Sequence, residues 1–264
     1  MKHVLTVKEI EEKLKNEDEP TLWMNDLEND HRTGVHKALT RWKRKYELKE
    51  LVIQEHQEKV SFDRSYAPFV NAFLAGVDEA GRGPLAGPVV TAAVILPEET
   101  PDLVGLDDSK TISKEKREQL AMKIRQVAIA YSIHIQSADK IDELNIYEAT
   151  RASMEKAVTE LSVQPDFVIA DAMSLNTICQ TASVIKADAK SLAVAAASIL
   201  AKTTRDSIMD TVHNDFPQYN FKKNAGYGTA EHLLALREYG PCEHHRKTFE
   251  PVKSILSHKT SILI

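Results

Sequence analysis

The chain has 264 residues, 42% of them hydrophobic, and a formal net charge of −5, so it can bury a sizeable core, and any nucleic-acid partner must be held by local basic patches. Its two cysteines, Cys179 and Cys242, form no CxxC pair, which argues against a disulfide framework or a structural zinc site. The N-terminus has no apolar signal core and no apolar run reaches the length of a membrane span, so a soluble cytoplasmic protein with no membrane partner is expected; a monomer is the expectation for its assembly, although nothing in the sequence fixes it.

Residues 1–70 read as a helical N-terminal extension, and residues 71–264 as a second, larger domain with C-terminal helices. Thr6 followed by Glu9 is a capping-box pattern that opens a short helix ending near Glu19-Pro20. A second helix is predicted from about Val35 to Glu58, where Val35, Leu39, Trp42 and Tyr46 recur at helical spacing. "RWKRKYELK" offers a basic patch with interleaved aromatics, although at this spacing the aromatics fit a core and the cations a wet face. "SFDRSYAPFV" is expected to link the two regions.

From Asn71 the pattern changes. "AFLAGVD", "GPVVTAAVIL" and "VAIAYSIHIQS" predict three strands, with a helix capped by Ser113 between the last two. "IYEATRASMEKAVTELS" predicts a helix, "PDFVIAD" a strand ending in Asp171, and "SVIKAD" a shorter strand ending in Asp188. A long alanine-rich helix from Ser191 and a helix capped by Thr229 follow. Strands and helices interleave, so the class is α/β.

Asp78 with Glu79, Asp171 and Asp188 each close an apolar, strand-like run. In an open α/β sheet, ligands sit at the carboxyl ends of strands. Carboxylates converging there stay ionised only beside a cation, and hard oxygen ligands select Mg²⁺ or Mn²⁺. Solvated strand ends are the plainer reading of any one acid. Adjacent strand residues face opposite ways, so Asp78 and Glu79 share a metal only if the strand ends or bends there. Gly81-Arg82-Gly83-Pro84-Leu85-Ala86 fits the dinucleotide fingerprint, but strand chemistry follows where that motif needs a helix.

"GVDEAGRGPLAGPV", "DSK" at 108–110, "VIADAM", "KADAKS", "AAASILAKTTRD", "NAGYGT" and "HHRKTFEPV" occur in this order between about Ala75 and Val252. Together they resemble bacterial ribonuclease HII. The resemblance implies a ribonuclease-H-like mixed sheet flanked by helices, with a small helical N-terminal region. It implies a metal-dependent endoribonuclease acting on RNA–DNA hybrid and on ribonucleotide-containing duplex DNA. The cut would fall 5′ of a single embedded ribonucleotide, by a two-metal-ion mechanism leaving 3′-hydroxyl and 5′-phosphate ends. The implied catalytic and metal-binding acids are Asp78, Glu79, Asp171 and Asp188. Gly81, Arg82 and Gly83 match the loop that reads the ribonucleotide, and Tyr227 the tyrosine that packs on the neighbouring sugar. Lys110, Lys186, Lys190 and Lys202 sit in or near matched motifs as candidate phosphate contacts, against the plainer reading of solvated lysines; Ser109 and Ser198 could donate to phosphate, and an N-cap or helix-packing role fits them equally. "CEHHR" offers Cys242, His244 and His245 as soft metal ligands, although the adjoining motif favours a structural loop. The alternatives are a ribonuclease HIII-like hybrid nuclease and a catalytically silent hybrid-binding protein.

Overall fold

A computed structural model of the chain describes residues 5–107 and 112–261. The chain divides into two compact units, Met1–Gln57 and Glu58–Ile264. The first holds α1 (Val7–Lys15), α2 (Trp23–Glu28) and the opening turns of α3 (Thr33–Tyr66). Thr6 and Glu9 close the expected capping box at the start of α1. Ile10, Leu14, Met24, Leu27, Val35 and Leu39 form the core of this unit, with Trp42 packed on it. The Trp42 indole donates to the Glu17 carbonyl (3.0 Å) and stacks on Tyr46 at 5.4 Å between ring centroids. Lys43 pairs with Glu28. The aromatics of the "RWKRKYELK" stretch therefore serve this small core.

The second unit begins inside α3. Its elements continue as β1 (Leu74–Ala80), β2 (Val89–Ile95), α4 (Lys114–Val127), β3 (Ala130–Gln136), α5 (Ala138–Leu144), α6 (Ile146–Thr159), β4 (Phe167–Asp171) and β5 (Gln180–Val184). Then come α7 (Leu192–Asp215), α8 (Phe221–Asn224), α9 (Ala230–Tyr239) and α10 (Val252–Ser261). The five strands form one mixed sheet in the order β3-β2-β1-β4-β5. Strands β1–β2 and β2–β3 run antiparallel, and β1–β4 and β4–β5 parallel. On one face α7 and α4 cover Ala80, Ala92 and Val94; on the other α6 covers Val77, Ala93, Val168 and Ala170. Gly76 lets α7 sit directly on β1: a Cβ there would overlap the backbone between Ala193 and Val194. Among the described residues no helix is long and apolar enough to cross a membrane.

Two expectations change. The "SFDRSY" segment is helix, because α3 runs to Tyr66. Its last turns are held within the second unit: Lys59 donates to the Leu106 carbonyl (3.0 Å) and the Asp107 carboxylate (2.9 Å), and Asp63 accepts from the Ala193 amide (3.0 Å). The strand expected to end in Asp188 instead stops at Val184. Lys186 then takes a left-handed conformation (φ 55°), and Asp188 lies in the 3₁₀ turn Ala187–Ala189.

Candidate active site

Strand alternation aims Asp78 at the α7 face of the sheet, beside Gly76 and Ala80. Strand β4 runs parallel to β1 with Val77 opposite Ala170, so Asp171 lies one step beyond that pair, level with Asp78 and on the same face. The turn carrying Asp188 is tied to this point: the Ala187 amide donates to Asp171 Oδ1 (2.7 Å). Asp188 is 8% exposed, and its Oδ1 accepts from the Ala189 amide (3.0 Å). Three of the acids thus reach one sheet edge by different routes: strand, parallel neighbour and post-strand turn. β1 extends through Ala80, so Asp78 and Glu79 lie just inside the strand end.

Asp78 is 5% exposed. Burial, then the charge of Glu79, push its carboxyl well above the usual range, with Asp171 adding to the rise. Hydrogen bonds from Ser198 of α7 and from the Glu79 amide (2.7 Å) oppose the rise. Glu79 is raised too, chiefly by burial; Arg82 counters this, its guanidinium 3.3 Å from Glu79 Oε1. The other carboxylate oxygen of Glu79, Oε2, is buried with no hydrogen-bond partner. A buried unpaired carboxylate oxygen is costly unless a cation meets it. These hard oxygens, short of positive charge, have the chemistry of a divalent-cation site. Among the described residues no three Asp, Glu, His or Cys side chains stand together as a formed metal cluster.

The loop after β1 is held open by two arginines. Arg205 of α7 is fully buried and donates to the carbonyls of Pro88 (3.0 Å), Ala86 (3.1 Å) and Ala225 (3.0 Å). Arg246, equally buried, donates to Gly81 (2.5 Å), Arg82 (2.8 Å) and Gly87 (2.9 and 3.1 Å). Burial lowers both, Arg246 to about 9, which leaves it charged at neutral pH. Neither has a carboxylate partner among these contacts; a guanidinium spends its five donors on carbonyls instead. The carbonyls of Gly81, Arg82, Ala86 and Gly87 are thereby held by the two guanidinium groups. Gly81 has φ +98°, and a Cβ there would press on Arg205 and come within 2.7 Å of the Pro88 carbonyl oxygen. Gly81→Ala is expected to cost about 2 kcal/mol of stability, together with most of the activity. Calorimetric unfolding checks this, and an unchanged Tm would mean that the loop does not hold this shape.

Tyr227 flanks the same loop. A Cβ placed on Gly83 would lie 3.6 Å from Tyr227 Cε1, while the ring stays exposed, with the residue 48% accessible. The other expected contacts are more scattered. Lys190 is exposed and donates to the Ile185 carbonyl (3.0 Å), and Lys202 pairs with Asp206 (2.6 Å). Ser109 and Lys110 lie outside the described residues. Ser198 faces Asp78, and His244 offers its carbonyl to the Gly87 amide (2.8 Å).

Arg205 and Arg246 were not singled out by the sequence reasoning. Arg205 had a legible signal: Ala201, Arg205, Met209 and Val212 recur at helical spacing and are all buried, so a cation stands on an apolar stripe. Arg246 lies in the irregular segment after α9 and had no such pattern.

Five strands in this mixed order, helices on both faces and acids at the edge of the central strands define a ribonuclease-H-like nuclease. Ribonuclease H2 from Pyrococcus horikoshii superposes with a TM-score of 0.62 at 26% identity, over 70% of this chain and 97% of that one. Bst ribonuclease HIII in complex with Mn²⁺ shares the fold at TM-score 0.58 and 17% identity, over 76% of this chain and 73% of that one. Residues 75–252 match the Ribonuclease HII family model and residues 6–67 the Ribonuclease HII N-terminal domain model. Ribonuclease HII of Bacillus licheniformis is 48% identical over 95% of this chain and 98% of its own length. The chain belongs to the ribonuclease HII family, whose members are metal-dependent endoribonucleases acting on RNA-containing nucleic acids.

Proposed function

We propose that the protein cuts RNA in RNA–DNA hybrids and cuts 5′ of single ribonucleotides embedded in duplex DNA, leaving 3′-hydroxyl and 5′-phosphate ends. The observation that carries this reading is the arginine-clamped loop, which lies between the acids and Tyr227. A 2′-hydroxyl both donates and accepts, and it is what separates RNA from DNA at one position. Bare backbone at Gly81 and Gly83 can approach it closely, and Arg82 stands beside it. Tyr227 would lie under the next sugar, where an added 2′-hydroxyl would clash. Such a site favours a ribonucleotide followed by a deoxyribonucleotide.

Asp78, Glu79, Asp171 and Asp188 are the residues to hold Mg²⁺ or Mn²⁺. Two such ions, when bound by these acids, would supply an activated water and neutralise charge on the leaving oxygen. The acids orient the scissile phosphate by fixing where positive charge can sit, and the loop holds the ribose against them. Ser109, Lys110 and Lys190 contact flanking phosphates in this reading. The protein would act as a monomer in the cytoplasm, with the chemistry in residues 71–264 and residues 1–70 as a helical extension. Its role would be removal of misincorporated ribonucleotides and residual primer RNA.

The test is cleavage of an end-labelled duplex carrying one ribonucleotide, with Mg²⁺ or Mn²⁺ and again with EDTA. A single cut 5′ of the ribonucleotide, abolished by EDTA and restored by added metal, is expected. Binding without cleavage would make the protein a silent hybrid binder, and EDTA-resistant cleavage would remove the metal from the reaction.

A further inference from the structure

Behind Tyr227 two histidines that take no part in the chemistry lie fully buried, His232 in α9 and His245 in the segment after it. Their Nε2 atoms are 3.0 Å apart. At that distance one nitrogen carries the shared hydrogen and the other accepts it. The outer ends of the pair decide which. His245 Nδ1 receives the Cys242 amide (2.9 Å), so it holds no proton, and a neutral His245 is protonated on Nε2. The Cys242 thiol, 3.2 Å from the same nitrogen, is kept protonated by burial and so is another donor there. His232 Nε2 is then the acceptor, and its proton sits on Nδ1, 2.9 Å from the Tyr227 carbonyl oxygen. That oxygen can only accept.

The hydrogens therefore run one way, from Cys242 through His245 and His232 to Tyr227. A second proton on either ring would set two N–H groups against each other. Burial lowers both imidazoles, His245 to about 4, which keeps the pair neutral. Tyr219 and Phe221 wall the pair with their rings. Neighbouring carbonyls are gripped as well: Ala225 by Arg205, and Gly226 by the Leu85 amide (2.9 Å). Three successive carbonyls, 225 to 227, are thus fixed. The Tyr227 ring is half exposed and has little packing of its own, so its direction comes from this backbone.

We propose that the His232–His245 relay positions Tyr227, and that His232 acts as a specificity-determining positioning residue through its Nδ1–H. This rests on the reading of Tyr227 as the platform under the sugar that follows the ribonucleotide. Two measurements on the full chain test it. Nitrogen-15 spectra of histidine-labelled protein at neutral pH should show His232 protonated on Nδ1 and His245 on Nε2. Any other tautomer, or a charged ring, overturns the relay. For function, the readout is the ratio of cleavage rates on a single embedded ribonucleotide and on a continuous RNA–DNA hybrid. A ratio does not depend on how much of a variant is folded.

His232→Asn sets an amide donor near the place of Nδ1–H, whereas His232→Gln reaches toward Nε2 and leaves the Tyr227 carbonyl with the Thr229 amide (2.8 Å) as its one remaining donor. The ratio should stay near wild type in His232→Asn and fall about fivefold in His232→Gln, the worth of roughly one hydrogen bond. In a Tyr227→Ala background His232→Gln should change the ratio no further. If Tyr227→Ala shifts the ratio but His232→Gln does not, the positioning role is wrong. If Tyr227→Ala itself leaves the ratio unchanged, the platform reading fails, and the role of His232 falls with it while the tautomers still stand on the spectra.

Discussion

Asp188→Asn is expected to lower turnover by about three orders of magnitude, roughly 4 kcal/mol of transition-state stabilisation, while duplex binding survives or tightens. The substitution keeps the shape of the side chain. Its Oδ1 can still accept from the Ala189 amide, so the turn at Ala187–Ala189 should hold. What is lost is one negative charge at a position 8% exposed. On the proposed reading of Asp188 as a metal ligand, fewer ligand charges would weaken the hold on divalent ions, and less repulsion would meet the incoming phosphates. Single-turnover rates at saturating metal, with fluorescence anisotropy for binding, separate the two effects. Near-normal turnover at saturating metal would remove Asp188 from the site. The same experiment applies to Asp78 and Asp171, although Asp78 also accepts from Ser198 and from its own neighbour's amide, so its variant needs a folding control.

Tyr227→Ala is expected to slow cleavage at a single embedded ribonucleotide by an amount equivalent to about 1–3 kcal/mol, the range for an aromatic platform beneath a nucleotide. The fold should be untouched. The residue is 48% exposed, and the contacts that anchor it run through its backbone, which alanine retains. Equal Tm with reduced cleavage is therefore the expected pair of results. Cleavage as fast as wild type would show that the ring does not carry the sugar.

Much of this site was legible because its acids punctuate apolar runs. β1 and β2 are almost wholly buried and β4 is buried through its middle, so their sequences read as continuous apolar stretches, and Asp78 and Asp171 stand out at or near their ends. Asp188 stood out for the same reason, but the inferred element was wrong. Val184 and Ile185 prolong the apolar run, yet Lys186 turns left-handed, and periodicity does not register a single residue of reversed φ. The reach of α3 was hidden differently. "SFDRSY" has linker composition, and it stays helical through partners far along the chain, Leu106, Asp107 and Ala193. Arg205 could be noticed as a cation on an apolar stripe, but the clamp it forms with Arg246 could not: its acceptors are backbone carbonyls, which carry no residue type to notice. Glycines mark where the backbone is bare, but not what grips it.

The clamp also imposes an order in time. Arg205 reaches Pro88 across 117 positions of sequence, and Arg246 reaches Gly81 across 165. Contacts so distant form late, since the closing of long loops must precede them. A nascent chain emerges N-terminal end first, so strands β1 and β2, with Asp78 and Glu79, leave the ribosome well before the guanidinium that shapes the loop beside them. Until residue 246 has been made and docked, the loop beside the acids lacks the guanidinium that holds the Gly81, Arg82 and Gly87 carbonyls. The finished loop shape is thus withheld from every incomplete copy of the polypeptide.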